Sequence, residues 1–138
     1  MAAYNKFQVF VENLAEKVHD LSADTLTVAL TAAANAPVAT NTILANLTQI
    51  AYTNLSARTI TVSSSSHTTG TYSLVTADKV LTASGGAVAT FRYVVIYNDT
   101  PTSPADPLIC WFDHGSDVTL ADGETYTIDF GSSLFTLV

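Results

Sequence analysis

The chain has 138 residues, enough for one domain whose core needs no disulfide or metal staple. Hydrophobic residues make up 48% of it and charged residues only 12%, well below the roughly 25% usual in a soluble domain, so Thr, Ser, Asn and Ala must cover much of the surface. The formal net charge of −7 is unevenly placed: no Lys or Arg follows Arg92, while Asp99, Asp106, Asp113, Asp117, Asp122, Glu124 and Asp129 do, which argues against direct nucleic-acid binding by this region.

In chain order, the first expected element is an amphipathic helix over residues 4 to about 20, capped by Asn5, with Phe7, Phe10, Val11, Leu14 and Val18 on one stripe. That stripe needs a partner surface, either the chain's own sheet or a neighbouring subunit onto which the helix is exchanged. Leu26, Val28 and Leu30 alternate with Thr25, Thr27 and Ala29, which predicts a strand with one buried face over residues 24–31. Residues 32–40 are small around Asn35 and Pro37 and read as an exposed loop. Ile43, Leu44, Leu47 and Ile50 have the spacing of about two helical turns.

A strand is expected to begin at residues 59–62 and to run into Ser63, Ser64, Ser65, Ser66, His67, Thr68, Thr69 and Gly70, too polar for a core and so an edge strand or loop. Residues 72–75 and 79–83 are further short strands. Ser84-Gly85-Gly86-Ala87 is a turn able to take positive φ.

Two apolar runs then flank a loop with three prolines and two aspartates. Phe91-Arg92-Tyr93-Val94-Val95-Ile96-Tyr97 and Leu108-Ile109-Cys110-Trp111-Phe112-Asp113-His114 are too short for helices and rich in β-branched and aromatic residues. Read as antiparallel neighbours with Tyr97 facing Leu108, they place Ile96 opposite Ile109, Val95 opposite Cys110, Val94 opposite Trp111, Tyr93 opposite Phe112 and Arg92 opposite Asp113. The last is a cross-strand ion pair beside a buried Trp111. Downstream, a three-residue loop ending at a left-handed Gly123 would pair Val118 with Tyr126 and keep Val118, Leu120, Tyr126, Ile128 and Phe130 on one side. That pairing holds only if the two strands share a sheet. Residues 134–138 close as an apolar strand that needs cover.

About eight strands, one helix in front and one short helix inside predict a mainly β, single-domain fold, a β-sandwich or jelly-roll-like arrangement. Residues 1–22 form its N-terminal helical segment and residues 24–138 the β part. The lone Cys110 is expected to be a buried apolar residue. No stretch is long enough to span a bilayer and no secretory leader is evident, so the expected setting is cytoplasmic, without membrane association and with the sequons at Asn46, Asn54 and Asn98 unmodified.

Chemistry-bearing patterns are sparse. There is no phosphate-cradling glycine loop, no nucleophile elbow and no helical metal-ligand pair. His19 and His67 are expected at the surface. His114 shares a strand face with Cys110, but four residues of strand separate them by about 13 Å, too far to ligate one ion. Asp113 and His114 point to opposite faces. No catalytic residue, metal site or cofactor is therefore assigned, and the chain reads as a non-enzyme.

The successions Phe91-Arg92-Tyr93-Val94-Val95-Ile96-Tyr97-Asn98-Asp99-Thr100, Ser103-Pro104-Ala105-Asp106-Pro107-Leu108-Ile109, Asp117-Val118-Thr119-Leu120-Ala121-Asp122-Gly123-Glu124 and Thr127-Ile128-Asp129-Phe130 resemble those of small virion proteins of tailed bacteriophages, of the capsid decoration or cement type. So do Lys6-Phe7, Val11-Glu12, Leu21-Ser22-Ala23-Asp24-Thr25-Leu26 and Val28-Ala29-Leu30-Thr31. The chain departs from that pattern at Asn54-Leu55-Ser56 and at Cys110-Trp111-Phe112. The resemblance implies a structural protein that binds the major capsid protein as a homo-oligomer, a trimer, on the outside of the shell, assembled in the host cytoplasm. Other roles weighed are a tail, fibre or head-to-tail joining component, and a virion-surface carbohydrate-binding module using Trp111 and the tyrosines. Expected partner contacts are Phe7 and Phe10 in the N-terminal segment, with Asn98, Asp99, Pro101, Pro104 and Pro107 in the stiffened loop, which loses less entropy on docking.

Overall fold

A computed structural model describes residues 2–138. The fold is mainly β and antiparallel, in three sheets. Strands β1 (Asn5–Lys6), β7 (Leu108–Val118), β6 (Phe91–Asn98) and β2 (Leu26–Thr31) form the largest, in the order β1-β7-β6-β2. Strands β3 (Val62–Thr68), β4 (Thr71–Thr76) and β9 (Phe135–Leu137) form the second, and β5 (Lys79–Thr82) pairs with β8 (Thr125–Ile128). No described helix is long and apolar enough to cross a membrane.

The N-terminal segment is not one long helix. Asn5 and Lys6 pair with Trp111 and Cys110 instead of capping a helix, and α1 covers only Val9–Ala15. Its stripe is also narrower than the periodicity implied, because Phe10 is buried while Val11 stays 50% exposed. The internal helix shrinks to a single 3-10 turn at Leu44–Asn46, where the Asn46 carboxamide oxygen accepts the backbone N–H groups of Thr42 and Ile43. Both segments had helical spacing, but a short helix is weak without tertiary support, and here the strand partner and the side-chain cap take the backbone groups.

Strand β2 is buried on both faces rather than one. Leu26, Val28 and Leu30 join the main core. Ala29 joins a second cluster on the other side with Phe7, Val95, Tyr97 and Leu108, against which Trp111 packs, half-buried, with its ring 4.6 Å from that of Phe7. A Thr/Ala face small enough to be overlain cannot be told from a solvent face by alternation alone.

Strands β6 and β7 are antiparallel neighbours, and Tyr97 does face Leu108. Beyond that pair the register departs from strict alternation. An extra residue, Ile109, is accommodated, so that Ile96 faces Cys110, Val95 faces Trp111, Val94 faces Phe112 and Tyr93, not Arg92, faces Asp113. The irregularity has a packing cause: Ile109 and the adjacent Cys110 both enter the main core, which a regular strand would forbid. A second irregularity follows, with Phe91 facing Val118, so residues 114–117 of β7 bulge out of the ladder between Asp113 and Val118.

The β7–β8 hairpin is not formed: β8 pairs with β5 in a different sheet, in the register Leu81 with Tyr126. Gly123 is left-handed as expected, at φ +84, and Glu124 accepts the Ala121 N–H to close the turn. Val118, Leu120, Tyr126, Ile128 and Phe130 nevertheless all contact the main core. The apolar parity was satisfied by crossing between sheets instead of by pairing. Strand β3 is the polar edge strand expected of the serine run, and Gly85 and Gly86 take φ +87 and +152 in the turn before β6. Gly86 has a second reason to lack a side chain, since a Cβ there would lie 2.6 Å from the Asn54 amide nitrogen. One core cluster draws on α1 and on β2, β4, β5, β6, β7, β8 and β9, so all three sheets share it.

Candidate interaction surfaces

The expected contact residues separate into two groups. Phe7 and Phe10 are 0% and 1% exposed and are used inside their own chain, Phe7 against Trp111 and Phe10 against His19 and Phe135. Asn98 and Pro107 are buried as well. Their side chains hold the fold and are not offered to a partner. Asp99 and Pro104 are exposed and Pro101 is partly so, which leaves the tip of the loop, not its root, as available surface.

The root of that loop is a polar cluster. The Asn98 Nδ2 group donates to Asp24 Oδ2 at 2.6 Å and lies 3.0 Å from His19 Nδ1, while Asn98 Oδ1 accepts the Thr100 N–H at 3.1 Å. With both Asn98 amide hydrogens directed at acceptors, His19 Nδ1 carries no proton and the ring is neutral with its proton on Nε2. That nitrogen is buried without a hydrogen-bond partner among the described residues. Desolvation pushes the His19 pKa below its ordinary 6.5, against the opposing pull of the Asp24 charge. His19, expected at the surface, is 7% exposed. Its placement follows from α1 ending early, which turns residues 16–20 back over Phe10; the sequence offers no local signal of this.

Arg92 and Asp113 meet although they are not register partners. Arg92 Nε donates to Asp113 Oδ1 at 2.8 Å and its Nη2 to Oδ2 at 3.0 Å, a two-pronged pair with both side chains substantially exposed. The hydrogen bonds from Arg92 and from the Gly115 N–H hold the Asp113 carboxyl below the usual carboxylate range. Cys110 is fully buried and its thiol pKa is raised by desolvation, which leaves it an inert core residue.

Beside this pair lies a cleft of about 420 Å³ between β7 and β8. Its buried lining is Val94, Phe112 and Ile128; Asp113, His114 and Asp129 stand at its polar margin. The Tyr126 hydroxyl and His114 Nδ1, 3.1 Å apart, span the gap between the two strands. A shallower groove of about 300 Å³ runs between α1 and the second sheet, past Leu14, His19, Leu21, Tyr72 and Leu137. Among the described residues no group of three or more His, Cys, Asp or Glu is placed to hold a metal ion. The sequence reading missed the β7–β8 cleft because it had joined those strands into one hairpin.

No family model matches the chain, and comparison with curated proteins and with solved structures likewise gives no match.

Proposed function

We propose that this chain is a non-enzymatic structural protein of a tailed-bacteriophage virion, a decoration or cement protein that binds the major capsid protein as a trimer on the outer shell. In this reading the three sheets form a β-sandwich or jelly-roll-like fold, which the shared core supports, and the protein joins the virion after synthesis in the host cytoplasm.

The observation that carries the reading is the open, polar edge that β3 gives the second sheet; the outer edges of β2 and β5 are already covered by residues 55–60. None of the three sheets closes on itself, and β3 presents a serine-rich edge without Lys, Arg, Asp or Glu. Open edges in a small chain invite pairing or cover, and a symmetric assembly supplies both repeatedly. The sparse charge and the acidic last third suit packing against subunits and repulsion from the genome. The exposed tip of the 98–107 loop, with Asp99 and Pro104, is the docking element; weak contacts there sum when several copies engage at once.

The test is to add purified protein to expanded capsids that lack a decoration protein and to count bound copies. Saturation at a copy number matching the shell lattice, with a trimer in sedimentation, supports the reading. A monomer that does not bind shells overturns it. Binding at low copy number to a single vertex would move the protein to the tail or joining region, and retention on a glycan resin would move it to carbohydrate binding.

A further inference from the structure

Separately from the virion reading, we propose that the cleft between β7 and β8 is a strand-addition site for an extended segment of a partner polypeptide that alternates apolar residues with lysine or arginine. Three features specify this occupant.

First, both walls are unpaired ladder edges. The Ala83 N–H donates to the Glu124 carbonyl, so Glu124 faces β5; by the alternation of an antiparallel strand, the backbone groups of Tyr126 and Ile128 also turn to β5, and those of Thr125 and Thr127 turn away from it. On β7, the Ile109 carbonyl accepts the Phe7 N–H and Trp111 pairs with Asn5, which directs Asp113 to the same side. Strand β1 ends its pairing at Trp111; the residues before it lie alongside, with Ala2 lining the cleft and Tyr4 on Phe112, but among the described residues they make no backbone hydrogen bond to β7. Such an edge satisfies its N–H and C=O groups by accepting one more strand.

Second, the depth of the cleft is apolar. Val94, Phe112 and Ile128 form its buried lining, suited to every second side chain of an inserted strand.

Third, the charge has one sign. Arg92 neutralises Asp113, but Asp129 uses only Oδ1, to accept the Gly131 N–H at 2.7 Å, and no Lys or Arg lines the cleft. Asp117, Asp122 and Glu124 lie in the same acidic stretch, with no basic residue after Arg92. The outward side chains of the inserted strand therefore meet acid, which favours lysine or arginine and rejects glutamate.

The experiment uses the intact protein and short fluorescein-labelled peptides read by anisotropy. One alternates valine and lysine, one alternates valine and glutamate, and one is the lysine peptide N-methylated on alternate backbone amides. The lysine peptide is expected to bind, with affinity falling as salt rises, and the glutamate and N-methylated peptides to bind at least about tenfold more weakly. Asp129→Asn should weaken the lysine peptide and flatten its salt dependence. Hydrogen exchange should slow at Thr125 and Thr127 when it is bound. Thr127→Pro removes an outward N–H without touching the β5 ladder and should abolish binding; if that variant does not fold, the N-methylated peptide asks the same question of the unaltered chain. Equal binding of the methylated and unmethylated peptides, no binding of either, or protection confined to another surface would each overturn the proposal. So would self-association that protects Thr125 and Thr127 without peptide, which would give the cleft to a second copy.

Discussion

Strand β6 is tied down by polar side chains at both ends, and the two ends differ in nearly every respect except that each joins distant parts of the chain. At one end Asn98, fully buried, spends its carboxamide on Asp24, His19 and the Thr100 N–H. At the other, Arg92 makes a two-pronged ion pair with Asp113 while their side chains remain 31% and 40% exposed. By charge and geometry the ion pair is the stronger contact. By its effect on stability it is the weaker, because water and salt compete for an exposed pair, whereas a buried group stripped of its partner has nothing to replace it.

Breaking the buried end therefore has the largest expected effect. Asn98→Ala leaves the Asp24 carboxylate, His19 Nδ1 and the Thr100 N–H short of a partner, and should cost about 1–3 kcal/mol in urea unfolding. Gly115→Ala acts near the exposed end. Gly115 has φ +92 and donates its N–H to Asp113 Oδ1 at 2.8 Å, and an added Cβ would meet nothing within 4 Å, so the loss is conformational alone, about 1–2 kcal/mol. If Gly115→Ala proved the more damaging of the two, the ranking of the two ends would be reversed.

A titration sharpens the comparison with a smaller effect. The folded-state pKa of His19 lies below its ordinary 6.5, so the unfolded chain takes up the proton first. The His19 contribution to stability is complete above pH 6.5 and declines as pH falls from there toward the folded pKa. Asp24, joined to His19 through the Asn98 amide, is the carboxylate whose charge acts on this ring, and it opposes the desolvation. Urea midpoints measured from about pH 7.5 down to about pH 5.5 should fall in the parent chain and fall less in His19→Gln, which keeps an acceptor for Asn98 without a titrating ring.

Why one end was legible in the sequence and the other was not is a matter of locality. Arg92 is the only base of its strand and Asp113 the only acid in the facing run, so their meeting followed from charge alone. It survived the bulge at Ile109 because long side chains can reach a diagonal partner. The β6–β7 pairing, the edge character of the serine run and the burial of Cys110 likewise followed from composition and period within single segments. His19 and Asn98 are 79 positions apart, and nothing near either marks them as partners. The bulge itself, the second buried face of β2 and the transfer of β8 to β5 were also hidden, because each is decided by which sheet lies across from an apolar face, and a period of two reports the face and not its neighbour. The burial of two candidate contacts, Phe7 and Phe10, was hidden for a related reason. Phe7 and Phe10 are as apolar in a core as at an interface, and only burial distinguishes the two.

The smallest expected effect belongs to the ion pair. Its Asp113 carboxyl has a folded pKa below the usual 3.8, lowered first by the Arg92 hydrogen bond and then by the Gly115 N–H. What stability that adds is present above pH 3.8 and lost as pH falls through the folded value. Asp113→Asn keeps an oxygen for the Gly115 N–H and removes the charge facing Arg92, so the parent and the variant should differ little near neutral pH. The difference should shrink further in about 1 M salt, where the screening length is about 3 Å, and vanish in strong acid, where the parent carboxyl is itself protonated. A loss in Asp113→Asn as large as that in Asn98→Ala, unchanged by salt, would mean that the outer end of β6 is shielded from water, and the contrast between the two ends would fail.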